Sequence, residues 1–159
     1  FESFEPLPFN TLDVEKMVNF EVGGFPFVGY MDYLGEKGGE LYIVDHKSRN
    51  LKPRSKRAKP TASDGELDEM LRQLYLYSKA VKEEYGKFPK ALCFNCFREG
   101  LLIVEPFKEE AFNAATEWAT DAINKILDAD SWPPDREYFK CGNLCGLNNE
   151  CEYFHMGLL

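Results

Sequence analysis

An unbroken apolar run in the first third of the chain constrains the fold more than any other feature of the sequence. Positions 41–44 read Leu-Tyr-Ile-Val within a segment at residues 40–47, which is typical of a strand buried on both faces. A helical pattern follows at residues 64–85 and a second apolar segment at residues 91–97. Because a strand–helix–strand crossover is almost always right-handed and joins parallel strands, this order predicts two parallel strands with a helix packed on them.

The remaining elements are separated by turn residues. Gly23-Gly24 divides two further strands, and Glu99-Gly100 is expected at the tip of a hairpin. Ser63 and Glu66 have the spacing of a capping box at the start of the first helix, and Gly86 is expected to end it. The predicted order is strand, strand, strand, helix, strand, strand and helix, at residues 12–22, 25–34, 40–47, 64–85, 91–97, 101–107 and 108–129.

This order predicts an α/β fold in which helices flank a mixed central sheet. A chain of 159 residues is long enough for one core. We expect residues 1–135 to form that core and residues 136–159 to form a cysteine-containing tail packed on it. No apolar run approaches the roughly 20 residues that a membrane helix needs, so no membrane partner is expected.

Two carboxylates and a lysine lie near the ends of neighbouring predicted strands. Asp32 follows Gly29 in a Gly-x-x-Asp pattern, and Asp45 and Lys47 end the buried strand. Side chains alternate along a strand, so Asp45 and Lys47 share one face and His46 takes the other. Carboxylate oxygens are preferred ligands of Mg²⁺ and Mn²⁺, and a metal beside a lysine suits phosphodiester hydrolysis. A lone Asp-x-Lys is more often structural, so the pattern depends on its context.

Gln73 and Tyr77 supply that context, because they lie one turn apart on the helix that follows. Gly-x-x-Asp, Asp-x-Lys after an apolar strand and Gln-x-x-x-Tyr on the next helix, in this order, resemble the RecB-type branch of the PD-(D/E)XK nucleases. That branch also contains CRISPR-associated exonucleases with a cysteine cluster. The resemblance covers roughly residues 14–107 and implies a restriction-endonuclease-like core.

The resemblance implies roles for the site residues. Asp32 and Asp45 would bind the metal through their carboxylates, His46 would add its main-chain carbonyl, and Lys47 would be the catalytic lysine. Gln73 and Tyr77 would line the site near the DNA. The family usually supplies a further Glu or His from an upstream helix, for which this sequence shows no counterpart; Glu15 and Glu21 are weak substitutes. For the His46 side chain we favour packing or exposure over a role as general base, and Tyr77 can equally be a core aromatic residue.

A basic stretch interrupts an acidic chain. The net charge is −8, yet residues 49–59 hold six positive charges and no acidic residue: Arg49, Lys52, Arg54, Lys56, Arg57 and Lys59. Binding to a polyanion depends on the local field rather than on the total charge. We expect a mobile loop here, with no acidic residue of its own to neutralise it, close to the path of DNA. The alternative is a solvated loop that never meets a substrate.

The cysteines point to a metal rather than to disulfides. Five cysteines without a secretory signal favour a reducing, cytoplasmic setting. Cys141, Cys145 and Cys151 are spaced C-x3-C-x5-C, and His155 follows. The resemblance implies a 4Fe-4S cluster whose fourth cysteine lies upstream; tetrahedral zinc with His155 and three free thiols are the alternatives. Cys93 and Cys96 fall in a strand, where their side chains point to opposite faces, so we expect them in the core.

The sequence therefore predicts a Mg²⁺- or Mn²⁺-dependent DNA nuclease, in particular an exonuclease in recombination, repair or phage DNA processing, with a helicase or recombination protein as a further partner. The alternative is a catalytically inactive relative that binds nucleic acid or a helicase. A third class is a small metal-stapled interaction module without a nucleic-acid role. The complete Asp, Asp and Lys set favours the first class over the second, and the basic loop favours both over the third.

Overall fold

The computed structural model describes residues 6–132, 134 and 137–155. The chain divides into two compact units, Phe1–Ile123 and Asn124–Leu159. None of the helices among the described residues is long and apolar enough to cross a membrane. The first unit contains the sheet and the helix that crosses it.

A five-stranded mixed sheet forms the first unit, with its strands in chain order from edge to edge. Strands β3 and β4 are parallel, and every other neighbouring pair is antiparallel. This confirms the predicted α/β class, the parallel crossover and the order of the elements. The strands and main helices are β1 Asn10–Val22, β2 Phe25–Lys37, β3 Glu40–Lys47, α1 Ala62–Tyr85, β4 Ala91–Cys96, β5 Leu101–Pro106 and α2 Glu109–Leu127.

The buried core lies between the sheet and α1. The strands contribute branched and aromatic side chains, and α1 contributes a leucine-rich face, as the helical spacing predicts. Burial of these apolar side chains is the main force that holds α1 on the sheet. Side chains that are almost completely buried include Met31, Leu34, Ile43, Leu67, Leu71, Leu74, Leu92 and Phe94.

Helix α1 begins at Ala62, two residues before the predicted start, and a different pair of residues forms its capping box. Thr61 is the N-cap: its hydroxyl accepts a hydrogen bond from the Asp64 main-chain N–H, and the Asp64 carboxylate accepts one from the Thr61 N–H. The predicted pair, Ser63 and Glu66, has the same spacing but lies inside the helix. The pair Thr61 and Asp64 forms the capping box instead, because Asp64 also accepts hydrogen bonds from Ser55. Gly86 ends the helix at φ 76°, as predicted.

The basic loop between β3 and α1 is tied to the core, which corrects part of the prediction. Leu51 is buried. Arg54 forms ion pairs with Glu105 of β5 at 2.7 Å and with Asp68 of α1 at 2.6 Å. Arg49 pairs with Glu66 at 2.9 Å. The loop carries no acidic residue, but these neighbours neutralise two of its six charges because the crossover brings α1 and β5 against it.

The second unit contains two short helices, α3 Tyr138–Asn143 and α4 Glu152–His155. The rings of Tyr138 and Phe154 stack at 6.0 Å and join the two helices. Cys141 and Cys151 are half-buried and Cys145 is exposed.

The Asp64 network predicts a pH dependence of stability. Hydrogen bonds from the Ser55 side chain and then from Thr61 and the Ser55 backbone hold the pKa of the Asp64 carboxyl well below its usual value of 3.8. A carboxyl with a lower pKa in the folded state stabilises the fold above its unfolded pKa, and this contribution is lost as the pH falls through the folded value. Asp64→Asn should therefore lower the free energy of unfolding at neutral pH and flatten its decline below about pH 4.

Urea unfolding at a series of pH values measures this effect. Asp121→Asn is the matched control, because Asp121 is an exposed helical carboxylate with no partner in the described part of the chain; it should unfold like the parent. Equal acid sensitivity in Asp64→Asn and the parent contradicts the assignment.

Candidate metal centre and active site

The proposed centre lies where β2 and β3 separate. Their pairing ends at Tyr33 and Val44, one residue short of Asp32 on one strand and of Asp45 on the other. The Asp32 Oδ2 atom accepts a hydrogen bond of 2.8 Å from the His46 main-chain N–H. The Asp32 carboxylate thus takes the place of a strand partner and is fixed at the end of β3.

Asp45 is a buried carboxylate with an incompletely satisfied oxygen. The residue is 8% exposed, and the Lys47 Nζ atom lies 2.7 Å from Oδ2. Apart from this ion pair, Oδ2 has no hydrogen-bond partner among the described residues. Burial raises the pKa of Asp45 above its usual value; the Lys47 ammonium opposes this rise and the Asp32 charge adds to it. The pKa of Asp45 stays raised despite Lys47, so the single ammonium offsets the cost of burying this anion beside a second one only in part.

These residues fit a hard divalent cation. The donors at this end of β3 are the carboxylates of Asp32 and Asp45, with the His46 carbonyl in the main chain between Asp45 and Lys47. No cluster of three or more His, Cys, Asp or Glu side chains suitable for a metal occurs within residues 6–132, 134 and 137–155. Mg²⁺ is often held by one or two carboxylates and keeps several waters, so this smaller set is sufficient for it.

The two substitutes considered for the upstream ligand do not complete such a cluster. Glu21 is exposed near the end of β1. Glu15 is exposed as well, but its backbone has φ 48°, an uncommon conformation for a residue other than glycine. It interrupts β1 between the pairs Val14–Tyr33 and Lys16–Met31, and therefore faces the position of Asp32 along the strand.

The side chain of His46 lies away from the carboxylates. It is exposed, and its Nδ1 atom is 3.0 Å from Asn95 Nδ2 of β4. Val44, two residues earlier on the same strand, belongs to the small cluster on the sheet face opposite α1, whereas Ile43 belongs to the main core. This geometry agrees with the alternation expected from the sequence.

Gln73 and Tyr77 meet on the face of α1 that covers β2. The Gln73 amide donates a hydrogen bond of 2.8 Å to the Tyr77 hydroxyl, and the Tyr77 ring is buried edge-on against Phe20. A Cβ at Gly29 would lie 2.4 Å from the Tyr77 ring. The glycine of the Gly-x-x-Asp pattern therefore leaves room for the tyrosine of the Gln-x-x-x-Tyr pattern, so Tyr77 is both a core residue and part of this motif.

The structure adds neighbours that the sequence does not reveal. The Lys47 ammonium lies 5.8 Å from the Phe94 ring centroid, within the range of a cation–π contact. Phe94 is paired with Asp45 across the parallel strands. The register between β3 and β4 sets this contact, and no sequence pattern specifies that register.

The cysteines fall into two groups. Cys93 and Cys96 are buried in different clusters on opposite sides of β4, which confirms the prediction that they belong to the core; burial raises the pKa of the Cys93 thiol to about 12. In the second unit, Cys145 and Cys151 line a cavity of about 560 Å³. Among the described residues, the tail cysteines do not converge on a common metal position.

The close approach at Gly29 gives a test of the motif geometry. Gly29→Ala should lower the free energy of unfolding by about 1–3 kcal/mol, because the new methyl group displaces the Tyr77 ring from its contact with Phe20. Gly65→Ala is the control: it lies in α1 with open space around its Cβ position and should stabilise the helix by up to about 1 kcal/mol. Urea unfolding measures both, and equal stabilities of Gly29→Ala and the parent would contradict the packing.

The comparison with known families agrees with this geometry. A family model described as the PD-(D/E)XK nuclease superfamily matches residues 2–153, a range that contains both carboxylates, the lysine and the Gln-x-x-x-Tyr helix. No curated protein sequence gives a significant match. The family model covers nearly the whole chain, and the chain therefore belongs to the PD-(D/E)XK nuclease superfamily.

Proposed function

We propose that the protein is a divalent-metal-dependent deoxyribonuclease whose centre is formed by Asp32, Asp45 and Lys47. The observation that carries this proposal is the buried Asp45 oxygen, which has a carboxylate neighbour and, apart from the Lys47 ammonium at 2.7 Å, no hydrogen-bond partner among the described residues. A structural aspartate is normally satisfied by hydrogen bonds when it is buried. Asp45 instead has one ion pair and a second carboxylate beside it, which suits a metal ion.

Each residue has a distinct part in the proposed reaction. Asp32, Asp45 and the His46 carbonyl would hold Mg²⁺ or Mn²⁺, which when bound polarises the phosphate and lowers the pKa of a coordinated water. The Lys47 ammonium is held beside Asp45 and can orient the attacking water or stabilise charge that develops on the phosphate. Gln73 and Tyr77 would hold the substrate strand beside β2.

Cleavage assays with two variants test this proposal. Asp45→Asn should abolish Mn²⁺-dependent cleavage of DNA because it removes a ligand, yet the metal-free fold should remain as stable as the parent, since a buried charge is lost. Lys47→Gln should retain Mn²⁺ binding and reduce the cleavage rate by at least about 100-fold. Lys37→Gln, at the exposed end of β2, is the matched control and should cleave like the parent. Parental cleavage by purified Asp45→Asn would refute the proposed centre.

The four remaining charges of the basic loop are proposed to contact DNA. Lys52, Lys56, Arg57 and Lys59 are exposed and form no ion pair with the described residues, whereas Arg54 ties the base of the loop to β5 and α1. The loop leaves β3 directly after Lys47, so it begins beside the proposed centre.

Changing Lys56, Arg57 and Lys59 together to Ala should weaken DNA binding and flatten the dependence of log K on log salt by about two to three units. Metal affinity should stay near parental. The control triple variant changes Lys37, Lys87 and Lys90, which lie at the other end of β3 and β4 and carry the same charge. Fluorescence anisotropy over a salt series measures the slopes; equal slopes in both triple variants would mean that the loop is only solvated.

The resemblance to the RecB-type branch supports a finer proposal: an exonuclease of recombination, repair or phage DNA processing, acting in the cytoplasm beside a helicase or recombination protein. Digestion of linear DNA with no cleavage of a closed circle supports an exonuclease. Mn²⁺ binding without any cleavage would instead favour the alternative of an inactive relative that binds nucleic acid or a helicase.

We also propose that Cys141, Cys145 and Cys151 hold a 4Fe-4S cluster, with zinc and His155 as the alternative. The spacing of the three cysteines supports a metal in this unit. Anaerobically purified protein should be brown and contain iron and sulfide, and Cys145→Ala should lose them while Cys93→Ala, in the core, retains them. A colourless protein containing zinc would favour the alternative, and a metal-free protein would leave three free thiols.

A further inference from the structure

A cavity of about 270 Å³ opens beside the Gln-x-x-x-Tyr face of α1. Phe20 and Phe27 from the β1–β2 hairpin and Trp118 from α2 provide its aromatic walls, and Glu69, Arg72 and Gln73 provide polar groups from α1. The sequence pattern places Trp118 on the apolar face of α2, but the structure leaves it 50% exposed. Part of the indole surface is therefore exposed at a cavity that two phenylalanine rings and the Tyr77 ring also line.

The polar groups of this cavity are only partly used by the fold. The Arg72 guanidinium lies 5.0 Å from the Trp118 ring centroid and forms no ion pair with the described residues. Glu69 is exposed and likewise has no partner in that part of the chain. Gln73 uses its amide nitrogen on Tyr77, and its carbonyl oxygen makes no hydrogen bond with the described residues. The cavity thus offers donors and acceptors around a flat aromatic surface.

This combination suits a flat ring with hydrogen-bonding groups along its edge. A nucleobase stacks on aromatic and guanidinium planes and presents several donors and acceptors at its edge. An aliphatic ligand would cover Arg72 and Glu69 without satisfying them, which is unfavourable. The base of an intact duplex cannot enter, because its faces are stacked and its edge is paired; an unpaired base can.

The position of the cavity connects it to the proposed centre. The Tyr77 ring, which lines the cavity, packs directly over Gly29, and Asp32 lies three residues further along the same strand. At a rise of about 3.3 Å per residue, these two positions are roughly 10 Å apart. The cavity, whose β2 wall is formed by Phe27 and Val28, thus lies further along the same strand, within reach of a nucleotide neighbouring the one at the Asp32 and Asp45 carboxylates.

We propose that this cavity is a base-binding subsite that takes one unpaired nucleobase of the substrate strand, stacked on Trp118 beside Arg72. The inference rests on the proposed nuclease function and adds a subsite to it. Trp118 and Arg72 are then binding residues that decide which strand reaches the metal centre.

Tryptophan fluorescence with base-bearing and abasic strands tests the proposal. The chain has two tryptophans, so Trp132→Phe leaves Trp118 as the single reporter. In the presence of EDTA, a short oligothymidylate should quench this fluorescence saturably. An abasic strand of the same length should cause no quenching and bind roughly 5- to 150-fold more weakly, as expected for the loss of one stacked base. An oligouridylate titrated alongside shows whether RNA can supply the base; Trp118-dependent binding of either strand supports the proposal.

Two variants of Trp118 complete the test. Trp118→Ala should bind oligothymidylate and the abasic strand equally, whereas Trp118→Phe should keep most of the preference of the parent. Equal affinities of the parent for both strands, or a full preference in Trp118→Ala, would overturn the inference; the first comparison needs no variant to fold. Mn²⁺-dependent cleavage by the same preparations separates the two proposals: cleavage with no base preference overturns only the cavity, whereas absence of both binding and cleavage overturns the nuclease function too.

Discussion

The burial of the Asp45 carboxylate is the constraint on which the account of this site depends. Strand β3 is the central strand of the sheet, so the side chains near its end are covered by neighbouring elements. Asp45 is consequently only 8% exposed. Burial raises its pKa, and Asp32 adds to that rise. Lys47 offsets the unfavourable charge only in part. The folded chain therefore holds two carboxylates together at a point where a divalent cation relieves the repulsion between them.

The surroundings of this pair follow from the same part of the sheet. Strands β2 and β3 separate just before Asp32 and Asp45, so the Asp32 carboxylate bonds to the His46 backbone instead of to a strand. Gly29, on the same strand as Asp32, admits the Tyr77 ring. The two motifs that resemble the family are thus joined by a packing contact. Further out, Arg54 anchors the basic loop to two carboxylates, which leaves Lys56, Arg57 and Lys59 beyond that anchor.

The sequence predicts most of the fold and the residue types of the site, for identifiable physical reasons. Alternation along β3 places Asp45 with Lys47 and His46 opposite, and the crossover rule makes β3 and β4 parallel. Three features escape such patterns because they depend on tertiary contacts: the capping of α1 by Asp64, which Ser55 helps to fix; the pairing of Arg54 with Glu105, which needs the position of β5; and the exposure of Trp118, which the apolar pattern of α2 does not reveal.

A crystal structure of the protein with Mn²⁺ tests the central claim most directly. Anomalous difference density recorded at the manganese edge should show a peak coordinated by the carboxylates of Asp32 and Asp45 and by the His46 carbonyl, with waters in the remaining positions. The same experiment on Asp45→Asn should show no peak. A parent crystal at saturating Mn²⁺ that has no density between Asp32 and Asp45, or a peak that persists unchanged in Asp45→Asn, would contradict the assignment of this site.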